Sequence, residues 1–185
     1  GCLHQRPARC PISKFGFSLK KYNILDSLQD YTPDPVIQNI EPGNIYIFKE
    51  NKINKPYKLY KKLYGYDLTG IIITKLHGAK LERDFDITDG DIYRIAHDEE
   101  GNHFSPDDLN SIKKMISDYI HEEKNTVVVL DCIDQFMYAN GLKDTVKFLM
   151  DVKQNCNDDE AILLISINPN LFQKDQLNKI SKALE

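Results

Sequence analysis

Cysteine is scarce in this chain. Four cysteines among 185 residues, at positions 2, 10, 132 and 156, are too few and too unevenly spaced for the disulfide framework of a small secreted domain. A reducing, cytoplasmic compartment is therefore expected. Long apolar runs are missing as well: the longest are short segments such as residues 126–130, whereas a membrane-spanning helix needs about 20 consecutive apolar residues. Residues 1–10 lack the apolar stretch of a signal peptide. Neither sign of charge dominates. With 24 Lys+Arg against 28 Asp+Glu the formal net charge is −4, and a pI near 5.8 argues against nucleic acid as the main partner. The distribution is uneven, because residues 1–21 hold Arg6, Arg9, Lys14, Lys20 and Lys21 with no acid, while residues 82–100 are rich in Asp and Glu. Both read as solvated surface. What is present, 41% hydrophobic residues together with nine glycines, is enough for one folded domain with a sizeable core.

Thr32-Pro33-Asp34-Pro35 and Glu41-Pro42-Gly43 interrupt any regular pattern, so the chain divides into residues 1–40, a basic tail, short helix and linker, and residues 41–185, the domain. Within the first part Leu19, Tyr22, Leu25 and Leu28 predict a short amphipathic helix over 18–30. Its apolar stripe needs cover from the domain, from a second copy of the chain or from an upstream domain.

From residue 44 onward, strands and helices alternate. Strands are expected at 45–48, 70–74, 91–96, 126–131 and 161–167, and the apolar-throughout character of Gly70 to Thr74 and Thr126 to Leu130 is that of strands covered on both faces. A helix is expected over 56–64, its Tyr57, Leu59, Tyr60, Leu63 and Tyr64 opposite a lysine face. A second begins at Ser105-Pro106-Asp107-Asp108, read as a cap, a first-turn proline and an acid completing a capping box. Further helices follow Asn140-Gly141 and, with Asn170 as cap, Pro169. Crossovers of this length give an α/β fold with a mainly parallel five-stranded sheet and helices on both faces.

Ligands of such sheets bind at the carboxyl ends of the strands. A phosphate loop after the first strand would need Gly-x-x-x-x-Gly-Lys-Ser/Thr, and that slot reads Lys49-Glu50-Asn51-Lys52-Ile53-Asn54-Lys55-Pro56 without a glycine. Conventional ATP hydrolysis is not expected. Asp131 ends an apolar strand as the magnesium-associated acid of phosphate-loop enzymes does, with Asp134 close enough to share its site. Such acids also commonly cap the next turn. Lys75 could face an anion, pair with Asp131 or lie on the surface. Lys49 and the lysines that follow it could dock a phosphate or an acidic partner, or form a solvated face. Asp84, Asp86, Asp89 and Asp91 fail the calcium-loop pattern. Cys2, His4 and Cys10 fall one ligand short of a zinc site, and neither His-Glu-x-x-His nor Gly-x-Ser-x-Gly occurs.

The runs Gly43 to Asn51, Gly70 to Lys75, Val128 to Phe136 with Asn140-Gly141 and Lys147-Phe148-Leu149, and Leu163 to Pro169 together resemble an archaeal domain of unknown function, family 835, over residues 41–185. The resemblance implies a RecA- or KaiC-like fold without its phosphate loop, in the C-terminal part of a sensory or regulatory protein. Cys132, Gln135 and Leu76-His77-Gly78 depart from the family's pattern. The expectation is a non-catalytic signalling or protein-interaction module with no cofactor, whose partner is a protein, an upstream sensory domain or a second copy. The alternative is a nucleotide- or phosphate-binding enzyme that uses Asp131 and Asp134.

Overall fold

A computed structural model describes residues 40–64, 68–97 and 103–185. The helix expected over 18–30 and the Cys2, His4 and Cys10 group lie outside them. The elements run β1 (Ile45–Lys49), α1 (Lys55–Tyr64), β2 (Thr69–Thr74), α2 (Gly78–Phe85), β3 (Asp91–Ile95), β4 (His103–Phe104), α3 (Leu109–Glu122), β5 (Thr126–Leu130), α4 (Ile133–Asp158), β6 (Ile162–Ile167) and α5 (Lys174–Leu184). Among the described residues the sheet has six strands rather than five, in the order β1-β6-β5-β2-β3-β4, and every pairing is parallel. The additional strand, β4, is two residues long, too short to leave a pattern in the sequence.

The three central strands, β2, β5 and β6, are buried along their whole length. Alternate side chains therefore serve two separate cores. Ile71, Ile73, Val128, Leu130, Leu163 and Ile165 join α3, α4 and α5 on one face. Ile72, Val127, Val129, Ile162 and Leu164 join α1 and α2 on the other. Complete burial of a Val, Leu or Ile side chain is worth about 1.5–3 kcal/mol, so apolar β-branched residues on both faces make these strands the most stabilising part of the sheet.

Helix boundaries follow local hydrogen bonding more closely than composition. Ser105 does not cap α3: Asp108 N–H donates to Ser105 O at 3.1 Å, closing a turn with Pro106 at its second position, and Asp108 becomes the cap by accepting from Ser111 N. Asn170 likewise is not a cap. Asn168 caps a single 3-10 turn over Pro169–Leu171, and α5 starts after Gln173, whose capping box is closed by Gln176. The chain is already helical from Ile133, ahead of Asn140-Gly141. Gly141 breaks α4 with φ 77° and ψ 172°, a region essentially reserved for glycine.

The connections explain where a site can form. From β2 the chain passes through α2 to β3 in one direction along the sheet, and from β5 it passes through α4 to β6 in the other. Right-handed crossovers running opposite ways must place their helices on opposite faces. The carboxyl ends of β2 and β5 thus part at a topological switch point, where open α/β sheets bind their ligands.

Candidate functional site

At the switch point the strand rows turn from apolar to polar. Tyr46, Leu164, Val129 and Ile72 lie in one row of the register on the α1 face. One step further toward the carboxyl ends, Phe48 and Ser166 lie side by side, Asp131 follows the last residue of β5, and Thr74 ends β2. Asp131 is only 3% exposed, and a carboxylate so buried must be hydrogen-bonded to be tolerated. Its Oδ2 accepts from Tyr57 Oη at 2.5 Å and from Thr74 Oγ1 at 2.8 Å. Tyr57 Oη and Thr74 Oγ1 are themselves 2.8 Å apart, so three oxygens form a closed triangle. Oδ1 accepts from the backbone N–H of Lys75 at 2.9 Å, and Thr74 Oγ1 also accepts from Leu76 N. The carboxylate therefore ties β5 to the end of β2 and to α1.

Burial raises the Asp131 carboxyl above its ordinary value, against the lowering effect of its bonds to Tyr57, Lys75 and Thr74. Burial, and then the charge of Asp131, push Tyr57 upward. Cys132 is fully buried and its thiol is also raised, first by burial and then by Asp131. A thiol held protonated is a poor nucleophile.

The structure brings together Asp131, Lys75 and Asp134, with roles that spacing alone did not assign. Lys75 meets Asp131 through its backbone, while its ammonium pairs with Asp134 Oδ1 at 2.8 Å. That pair is partly solvated, its side chains 29% and 25% exposed. Lys49 ends β1 as an exposed residue and does not line the cleft beside Asp131. The cleft, about 440 Å³, spans the ends of β1, β2, β5 and β6, with Glu50, Lys75, Asp131 and Ser166 among its lining. Asp84 lies in α2, Asp86 caps the carboxyl end of that helix and Asp91 begins β3. Among the described residues no group of acids, histidines and cysteines is arranged to hold a metal ion, and no helix is long and apolar enough to cross a membrane.

Glu50 was not singled out by its residue type, yet it occupies the turn between β1 and α1 in a telling way. Its Oε1 accepts from Asn54 N at 2.9 Å and its Oε2 from Lys55 N at 3.3 Å. Free amides at a helix start are what attract anions. Here they hold a carboxylate from the chain itself, and the second residue of α1, Pro56, has no N–H to offer. Tyr57 and Thr74 were also missed as site residues. Tyr57 reads as one more apolar position of α1. Thr74 and Ser166 share the one signal available, a hydroxyl at or next to the end of an otherwise apolar strand.

Fold and site together define an open, parallel α/β domain with a strand-end cleft whose buried carboxylate accepts three hydrogen bonds from the protein. The family described as protein of unknown function (DUF835) matches over residues 49–184. The chain belongs to that family. Comparison with curated proteins returns no match.

Proposed function

We propose that this domain is a non-catalytic signalling or protein-interaction module built on a RecA-like frame whose phosphate position is filled from within. The observation that carries the proposal is the Glu50 carboxylate on the Asn54 and Lys55 amides. In a phosphate loop, glycine-rich backbone leaves such amides free to wrap a triphosphate. In this chain the same place has no glycine, a proline early in the helix and an internal anion, so a triphosphate would meet a carboxylate instead of donors. Asp131 supports the same reading, because a magnesium-associated acid needs spare lone pairs facing the ligand, whereas its oxygens accept from Tyr57, Thr74 and Lys75. The resemblance to family 835 supports a place in the C-terminal part of an archaeal cytoplasmic sensory or regulatory protein, with a protein, an upstream sensory domain or a second copy of the chain as partner.

The test is a thermal-shift titration with ATP and GTP, with and without magnesium, paired with an assay for released phosphate. A ligand that binds only the native state must raise its stability. No magnesium-dependent rise and no phosphate release are expected. A rise that depends on magnesium and disappears in Asp131→Asn would overturn the proposal in favour of a nucleotide-binding enzyme using Asp131 and Asp134.

A further inference from the structure

Among the described residues, the lysines of the cleft beside Asp131 are the charged groups least used by the protein. Its three acids are engaged by the protein: Glu50 by two backbone amides, Asp84 by the Arg83 guanidinium through two bonds, and Asp131 as described. Its lysines are engaged far less. Lys75 spends its ammonium on a single bond to Asp134, although an ammonium carries three donors. Lys52 and Lys80 also line the cleft. Among the described residues neither makes an ion pair or a hydrogen bond through its side chain, and Lys80 reaches Asp84 only as a through-space charge. The remaining wall includes Ile53, Leu76 and Phe85, all packed against the core that lies under α1 and α2. At about 440 Å³ the space falls in the range of pockets for small molecules, roughly 300–1,000 Å³.

We propose that this cleft binds a small organic anion, with its charged oxygens at Lys52 and Lys80 and its apolar body against Ile53, Leu76 and Phe85. The inference rests on the non-catalytic reading above and gives that module a ligand to sense. Surplus donors select an acceptor-rich group, and the apolar wall selects a carbon body over a bare inorganic ion. A carboxylate and a phosphate monoester share the required chemistry.

The experiment is a series of amide-resolved NMR titrations of the whole chain with four probes: phenylacetate, phenyl phosphate, benzyl alcohol and inorganic phosphate. The two organic anions are expected to shift the amides of Leu76, Phe85, Ser166 and Asn168. The neutral alcohol and the inorganic ion are expected to bind at least about tenfold more weakly. The tighter of the two anions names the head group. In the double variant Lys52→Gln/Lys80→Gln, affinity should fall about tenfold with an unchanged melting temperature, since both side chains are exposed. Binding of benzyl alcohol as tight as that of the anions would overturn the proposal. So would affinity untouched by the double variant, or an absence of shifts at these amides with about 10 mM of either anion. The titrations contain neither nucleotide nor magnesium, so their failure leaves the non-catalytic reading standing, while magnesium-dependent nucleotide binding removes that reading whatever the anions do.

Discussion

Replacing Asp131 by alanine removes the acceptor on which three donors converge, and the geometry allows the cost to be worked out. Without the carboxylate, Tyr57 Oη can still donate to Thr74 Oγ1 at 2.8 Å. The Thr74 hydroxyl proton and the Lys75 N–H are then left without a partner. At about 1–3 kcal/mol for each of the two orphans, the loss comes to about 2–6 kcal/mol. Asparagine keeps an acceptor for Lys75 N–H but turns an amide toward two hydroxyls, so about 1–2 kcal/mol is expected. The assay is urea unfolding followed by far-UV circular dichroism. The pH dependence adds a signature, because burial raises the folded carboxyl above its unfolded value. The native fold then binds more protons than the unfolded chain between those two values, and Asp131's contribution declines as pH rises through them. Asp131→Asn should lack that decline, so the gap between the two proteins narrows as pH climbs from the ordinary carboxylate value of about 3.9. Alanine at 131 costing less than about 0.5 kcal/mol, the scale of an ordinary surface change, would refute the reasoning.

Glu50→Ala should cost about 1 kcal/mol, as loss of a helix cap does, and should open the Asn54 and Lys55 amides so that sulfate binding, followed by NMR at those two amides, appears in the variant alone. Tyr60→Phe should raise stability in urea by about 1 kcal/mol, because Tyr60 Oη is buried without a partner among the described residues; a loss would show that the hydroxyl is satisfied. Gly70→Ala should lower the melting temperature by the cost of an overpacked core, about 1–3 kcal/mol, since a Cβ there would stand 2.3 Å from Tyr60 Oη and 2.4 Å from the ring. Gly141→Ala has open space around it but a glycine-only conformation, and should cost about 1–3 kcal/mol of unfolding free energy.

How far the sequence could be read depended on where each residue finds its partners. Strands β2, β5 and β6 were legible within a residue or two because apolar runs buried on both faces look the same in sequence and in space, and β1 was legible as a short β-branched and aromatic run. Helix α1 was legible because Tyr57, Leu59, Tyr60 and Leu63 repeat at helical spacing. Helix α2 escaped notice since only Leu81 of its eight residues is buried, which leaves no stripe to detect. The start of α3 was misplaced by three residues because Ser105-Pro106-Asp107-Asp108 suits a turn as well as a cap, and a bond from Asp108 to Ser105 decides between them. At the site, Asp131 was visible as an acid ending an apolar strand. Its closest partner, Tyr57, lies 74 residues earlier and has the same hydropathy signature as any core tyrosine. The part played by Glu50 is set by how the turn brings it back over α1, which composition does not reveal.

The strand order also dictates when the sheet can be completed. Strand β1 precedes the other described strands in the chain yet pairs, among the described residues, only with β6, the last of them in chain order. Until residue 162 emerges, Ile45 to Lys49 have no sheet neighbour among the described residues, and their backbone groups stay available to other chains as any unpaired edge does. Contacts this distant in sequence slow folding, because the loop must close before the contact repays it. Closing the sheet is therefore a late event that joins the two ends of the domain in one step, so a chain cut short before β6 loses the place of β1 together with its own last strand.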